Sequence, residues 1–504
     1  MPHDIKVTTR SPAETEALAA RLSLWVRPGF LVLLSGDLGS GKSTFARAFI
    51  RALAEGKGDF DIPSPTFTLV QGYDETRLPV FHADLYRLAS PGEAGELGLD
   101  DLLETGAGLV EWPENVPPNL TPDILRLSFS GSGETRDITI AAEGAWAKAL
   151  QRDAEIAQFL SGVPATRHFL EGDASSRRYE WLAMTDGSKP ILMDMPTRPD
   201  GPPVRNGKPY SAIAHLAEGL PAVVAVNTLL AERGYSAPRI LRADLASGLA
   251  LIENLGARVY GKMLLAGEDM TEPMLAAAEV LADMARHDWP SRVPAGEGVI
   301  HTVPPYDAEA LLIEADLLPS WFWPYLHGKP APAGVNEGFE AVWRGLIPLA
   351  QPARPQWVLR DYHSPNLLWV PDRKGLQRVG IIDTQDAVMG HGAYDLMSMT
   401  QDARVDIPDA LAARTIDHYL SLRAGDGSFD KTAFLTAYAV LGAQRATKIL
   451  GIFARLSKRD GKHGYLRHMP RVSRALARNL EHPSLAPLRQ WYFDHLPEAL
   501  AVKA

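Results

Sequence analysis

The sequence predicts two domains of different construction: an N-terminal α/β domain with a mostly parallel sheet over residues 1–150, and a C-terminal α+β domain of two lobes over 151–504. Three observations lead there. At 504 residues the chain exceeds what one compact core holds. Residues 1–150 alternate apolar strands with helical stretches, the pattern of a parallel sheet covered by helices. From 151 onward strands come first and helices dominate after Asn254, the pattern of an α+β fold.

Each element has its own signal. In the first domain, residues 30–34 form an apolar strand ending in a glycine turn, a helix opens at Lys42, and further apolar strands fall at 80–83 and 108–110. Residues 124–129 and 137–141 predict a hairpin turned by Ser130, Gly131, Ser132 and Gly133. A helical stretch over 146–160 makes the join. In the second domain strand-like pieces flank Gly172 and occupy 191–193. A helical run over 212–233 and a strand at 249–252 follow, and short strands at 367–370 and 379–382 interrupt the later helices.

Composition narrows the function classes. With 46% hydrophobic and 22% charged residues, wholesale disorder is excluded. There is no cysteine, which removes a disulfide framework, a zinc-thiolate site and a cysteine nucleophile. Residues 1–16 carry charges and no apolar core of a signal peptide, and no apolar run is long enough to span a bilayer. A cytoplasmic protein without membrane contact is expected. Residues 1–150 hold 13 Lys and Arg against 21 Asp and Glu, a balance of −8; the remainder holds 38 against 40, a balance of −2. An acidic first domain is poorly suited to gripping a nucleic-acid backbone directly.

The stretch GDLGSGKS at 36–43 fits G-x-x-x-x-G-K-[ST] between an apolar strand and a helix. Gly36, Gly39 and Gly41 let backbone N–H groups turn toward phosphate oxygens, and the helix N-terminus at Lys42, Ser43 and Thr44 adds a favourable field. Lys42 reaches the β- and γ-phosphates of ATP, and Ser43 is a Mg²⁺ ligand. Asp84 ends an apolar strand, as a metal or water ligand must, and Glu111 follows Val110 in the same way. Pro63 and Pro65 keep the segment around Thr66 out of a helix and make it a constrained loop.

Five blocks together resemble the TsaE family, the ATPase subunit used in making threonylcarbamoyladenosine on tRNA: GDLGSGKSTFAR at 36–47, SPTFTLV at 64–70, HADLYRL at 82–88, GLDDLL at 98–103 and VEWPE at 110–114. The resemblance implies that Thr66 sits in a phosphate-sensing switch loop. It also implies that Asp84 and Glu111 place Mg²⁺ and water, with Trp112 lining the site. Trp112 reads equally well as a core aromatic. The implied partners are proteins of the tRNA threonylcarbamoyl-transfer machinery.

The second constellation is RDYHSPN at 360–366, which matches the R-D-x-x-x-x-N catalytic loop and precedes an apolar strand; seventeen residues after Asn366 a second strand delivers Asp383. Asp361 then accepts a substrate hydroxyl proton, while Asn366 and Asp383 hold Mg²⁺ over the ATP phosphates. His363, inside the loop, either orients substrate or makes a structural hydrogen bond. With IDTQDAVMGHGAYDL at 382–396, this half resembles the aminoglycoside phosphotransferase superfamily, which implies a bilobal, protein-kinase-like domain. The blocks GDASSRRYEWL at 172–182, ILMDMP at 191–196, RDYHSPNLLW at 360–369 and KILGIFARLSKRDGK at 448–462 resemble its AmgK branch, kinases acting on the anomeric hydroxyl of N-acetylmuramate and N-acetylglucosamine. Kinases of another alcohol, and a nucleotide-binding domain that transfers nothing, remain open alternatives.

Around Gly172, the loop reads equally as a simple hairpin turn or as a phosphate cover made by its amides, Ser175 and either Arg177 or Arg178, and Glu253 falls where a hinge offers backbone groups to adenine. The superfamily carries a lysine on its third strand, whereas residues 191–194 hold none. Either an arginine such as Arg178 replaces it, or phosphate affinity is low. Residues 444–480 carry ten Lys and Arg and one Asp, read as the polar face of terminal helices in preference to an anion-attracting surface.

Overall fold

The computed structural model describes residues 4–55, 60–65, 68–117, 120–171, 177–197 and 199–502. Thr66 and Ser175 lie outside the described residues. By density of internal contact the chain divides into Met1–Glu171 with Glu180–Ser188, and Gly172–Tyr179 with Lys189–Ala504.

The first unit is built on β1 (Ile5–Thr9), α1 (Pro12–Ser23), β2 (Leu31–Gly36), α2 (Lys42–Leu53), β3 (Val70–Tyr73), β4 (Val80–Asp84), α3 (Pro91–Gly95), α4 (Leu99–Thr105), β5 (Ala107–Glu111), β6 (Ile124–Ser130), β7 (Arg136–Ala142) and α5 (Gly144–Phe159). Its seven strands lie in the order β1-β7-β6-β2-β5-β4-β3. The central four, β6-β2-β5-β4, are parallel, and antiparallel strands finish both edges. The central strands read as apolar runs because helices cover both faces, which removes the alternation of a half-solvated sheet. Phe81 lies opposite Gly108 across β4 and β5, and a Cβ on Gly108 would meet the Phe81 ring at 2.2 Å, so only glycine admits that ring.

The predicted hairpin is β6 and β7, and the predicted join is α5. Its Trp146, fully buried, sits 4.8 Å from the Phe30 ring, so α5 packs on the first unit. Residue 150 falls inside this helix. Asp153 on α5 accepts from Arg21 (2.6 Å), Trp25 (3.0 Å) and Arg167 (2.7 Å), the last on the strand Ala165–Leu170. Those cations hold its carboxyl below the usual range against the opposing effect of burial.

In the second unit Ile240–Asp244, Leu249–Ile252 and Ile191–Asp194 form antiparallel neighbours. The helix Leu220–Glu232 covers them, packing Leu220, Val223 and Val224 on Met193, Ala250 and Ile252. The single helix expected over 212–233 is two, Tyr210–Ala214 and Leu220–Glu232. His215 stops the first in a left-handed conformation (φ 54°), and the second restarts at Gly219 with Pro221 in its first turn. The remaining helices, including the 30-residue Lys431–Asp460, surround one large apolar core. Two short antiparallel strand pairs emerge from it, Gln356–Val358 with Val388–Gly390 and, between these in sequence, Leu367–Trp369 with Val379–Ile381. They fix both ends of the segment carrying Asp361, Asn366 and Asp383.

Candidate active sites

The first site grows from the loop between β2 and α2. Gly36, Gly39 and Gly41 have φ of 135°, 76° and 106°, the region glycine alone enters readily. A Cβ on Gly36 would meet the Phe129 carbonyl oxygen at 2.4 Å, so close packing also requires glycine there. Lys42 Nζ donates to the Gly36 carbonyl (2.6 Å) and the Asp37 carbonyl (2.9 Å) and lies 4.1 Å from the Trp112 ring centroid. Burial lowers its pKa, opposed by Glu111 and Asp84. Thr44, one residue on from Ser43, is half-buried in the first turn of α2.

Parallel pairing of β4 and β5 sets Asp84 beside Glu111 in register. Glu111, buried, accepts from Ser43 Oγ (3.0 Å) and contacts His82 Nε2 (3.0 Å). Asp84 Oδ1 accepts from the Tyr86 amide (3.0 Å), and Tyr86 packs against Trp112 at 4.9 Å. Trp112 therefore lines the site, and its left-handed backbone (φ 60°) turns the chain out of β5 at that point. Sequence reasoning missed His82. Its signal was position: two residues before Asp84 in a strand, hence on the same face.

The hydroxyl of Ser43 and the carboxylates of Asp84 and Glu111 are hard oxygen donors that suit Mg²⁺, with phosphate oxygens and water to complete its shell. Among the described residues no cluster of three His, Cys, Asp or Glu side chains forms an all-protein metal cage.

The second site is organised by its backbone. Arg360 and Asp383 both have φ near 65° (66° and 63°), left-handed positions outside glycine, which the surrounding hydrogen bonds enforce. Buried Asp395 accepts from the Leu359 and Arg360 amides at 2.7 and 2.9 Å. Buried Asp402 accepts from the Ser364 amide (2.8 Å) and Ser364 Oγ (2.6 Å), with His363 Nδ1 at 3.6 Å. His363, Ser364 and backbone donors hold the Asp402 carboxyl far below its usual range despite burial. His363 is thus a structural member of the loop, and its Nε2 lies 3.9 Å from Asp361.

Asn366 Nδ2 donates to the Asp361 carbonyl (3.1 Å) and reaches Asp383 Oδ2 (3.5 Å), bringing all three named residues together. The Asp361 side chain keeps 41% of its surface open within a ring of protein charge. Burial works to raise its pKa, but His363, Lys448, Arg445 and Arg360 lower it overall, keeping it an anion ready to accept a hydrogen bond. Asp383 Oδ1 takes Arg177 at 2.5 Å. Of the two adjacent arginines Arg177 meets the acid, and Arg178 opens the strand Arg178–Met184. The carboxylate of Glu253 pairs with Arg239 (3.2 Å) and Arg373 (2.6 Å), and its amide donates to the Arg239 carbonyl (2.9 Å). Asp383 and the Asn366 side-chain oxygen are again donors of the kind Mg²⁺ takes.

The basic stretch divides. On the surface Arg471 and Arg474 pair with Asp406, Arg478 with Asp409 and Arg459 with Asp460. Arg445 and Lys448 instead turn inward, as buried or nearly buried groups.

Two phosphate-handling sites on two separate frameworks define a tandem ATP-using enzyme. Residues 9–138 match the model of the threonylcarbamoyl adenosine biosynthesis protein TsaE family, and residues 166–431 match that of the phosphotransferase enzyme family. The chain is 37% identical over 359 residues to an N-acetylmuramate/N-acetylglucosamine kinase of Caulobacter vibrioides, covering 69% of this chain and 97% of that protein. An enzyme of the same name from Neisseria meningitidis serogroup B is 29% identical over 67% of this chain and 94% of its own length. A tRNA threonylcarbamoyladenosine biosynthesis protein TsaE of Bacillus subtilis is 38% identical over 28% of this chain and 87% of its own. The chain belongs to both families, a TsaE-family ATPase domain fused to a phosphotransferase-family kinase domain.

Proposed function

We propose that the C-terminal domain, residues 151–504, transfers the γ-phosphate of ATP to the anomeric hydroxyl of N-acetylmuramate or N-acetylglucosamine. Residues 1–150 hydrolyse ATP in service of tRNA threonylcarbamoylation, acting with protein partners in the cytoplasm. The observation that carries the kinase reading is the Asn366 side chain joining the Asp361 backbone carbonyl to the Asp383 carboxylate, because it holds the loop bearing the proton acceptor beside the two metal-binding candidates. Asp361 accepts the hydrogen bond of the sugar hydroxyl and orients its oxygen toward the phosphorus. Asn366 and Asp383 hold Mg²⁺ against the phosphate oxygens. In the first domain Lys42 leaves the loop carbonyls for phosphate, Ser43 and Asp84 hold Mg²⁺, and Glu111 positions water. The names of the relatives supply the substrates of both readings.

The test is transfer from γ-labelled ATP to each sugar by the full chain, with Asp361→Asn as control. The expected product is an alkali-stable, acid-labile sugar phosphate that the control does not form. ATP binding without transfer to either sugar overturns the amino-sugar assignment and points to another alcohol.

A further inference from the structure

The helix Lys431–Asp460 passes the catalytic loop and carries Arg445, Lys448 and Arg455, with Lys448 and Arg455 seven residues apart and hence on one face. Lys448 Nζ contacts Glu314 Oε1 (3.2 Å) and donates to the Tyr394 hydroxyl (3.1 Å). Glu314, 1% exposed, also receives the Arg360 guanidinium and the Tyr306 hydroxyl (2.5 Å). One buried carboxylate therefore answers two cations, while Asp386 also faces Arg360 and Asp361 itself faces Lys448.

Arg455 lies about 10 Å further along the helix axis, within reach of a long side chain. Its guanidinium sits 5.3 Å from the Tyr210 ring centroid, and its Nε is buried without a hydrogen-bond partner. Tyr210 begins the short helix Tyr210–Ala214, and the Ala214 and His215 carbonyls at the end of that helix accept from Arg360 at 2.9 and 3.2 Å. Tyr210 also faces Lys448 and Arg360, and Lys448 acts on the Asp361 carboxylate, so Arg455 over Tyr210 belongs to the same cluster of charged groups as Asp361. The surface arginines of the same stretch are neutralised by Asp406, Asp409 and Asp460, and Arg455 is not a member of those pairs.

The geometry points to an anion subsite, formed by the unpaired Arg455 over Tyr210 beside Lys448, that takes the carboxylate of an acidic sugar. This rests on the kinase reading above and deepens it. N-acetylmuramate differs from N-acetylglucosamine by a lactyl ether, whose carboxylate is the only group Arg455 has to discriminate.

The experiment is steady-state kinetics of the full chain on both sugars, for the wild type, Arg455→Met and Arg455→Lys. Loss of a hydrogen bond to a charged group predicts a rise in KM for N-acetylmuramate of about 10- to 100-fold in Arg455→Met. Arg455→Lys should fall between, and the kinetics on N-acetylglucosamine should stay within about twofold, which also reports correct folding. Equal loss on both sugars, or no change on either, overturns the subsite alone. A wild-type chain that phosphorylates neither sugar overturns the amino-sugar reading and the subsite with it.

Discussion

Arg177 joins Asp383 at 2.5 Å, linking the residue before the strand Arg178–Met184 to the acid just beyond the strand Val379–Ile381. The strand Ile191–Asp194 carries no lysine, and Arg177, just before the strand Arg178–Met184, sets a permanent cation against Asp383. Its NH1 is buried with no hydrogen-bond partner, so one arm of the guanidinium is committed to Asp383 and the other is not.

Arg177→Met should raise KM for ATP by roughly tenfold or more, the scale of losing a contact to a charged group. Arg178→Met should have the smaller effect. Nucleotide titration followed by calorimetry checks both, and the reverse ranking would return the role to Arg178.

At the first site, Glu111→Gln removes the charge shared by Ser43 and His82 while keeping the shape of the side chain. Loss of a positioned acid or base predicts a fall in ATP hydrolysis of about 100-fold or more with nucleotide still bound. Phosphate release is measured in the Asp361→Asn background, so that the kinase site contributes nothing. Retained hydrolysis would exclude Glu111 from the chemistry.

Glu314→Leu leaves Arg360 and Lys448 buried without their shared carboxylate. Breaking a buried ion pair from one side costs about 3–5 kcal/mol, so thermal unfolding of the kinase domain should shift sharply downward. Adding Lys448→Met should recover part of that loss by removing one uncompensated cation. An additive double variant would show that the two residues do not interact.

Acid should destabilise the kinase domain through His391. Burial, helped by Arg423, pushes its pKa down to about 4, and its Nδ1 accepts from the Ala393 amide at 3.1 Å as a neutral ring must. The unfolded chain takes up a proton near pH 6.5 and the folded chain does not, so stability is lost as pH falls from about 6.5 toward 4, by an amount on the order of 3 kcal/mol. His391→Asn keeps an acceptor and removes the titration. Denaturant unfolding at pH 7 and pH 5 should show a smaller pH effect in the variant.

The parts readable from sequence were local. A glycine-rich turn between an apolar strand and a helix, an R-D-x-x-x-x-N loop before a strand, and a Gly-turned hairpin each declare themselves within about ten residues, because backbone conformation and phosphate geometry demand particular residue types at short spacing. The run 212–233 reads as one helix because its local apolarity outweighs the break marked by Gly219 and Pro221, and the left-handed stop at His215, a non-glycine residue, leaves no mark of its own.

What the chain order alone determined was the two families the halves belong to and the two frameworks they build. Only the tertiary structure decided which of two adjacent arginines meets Asp383, that His82 backs Glu111, and that a single buried Glu314 gathers cations from helix and loop. Those contacts join residues as far apart as Arg177 and Asp383 or Glu314 and Lys448, and a side chain's partner at such separation is set by how strands and helices pack, which no short motif encodes.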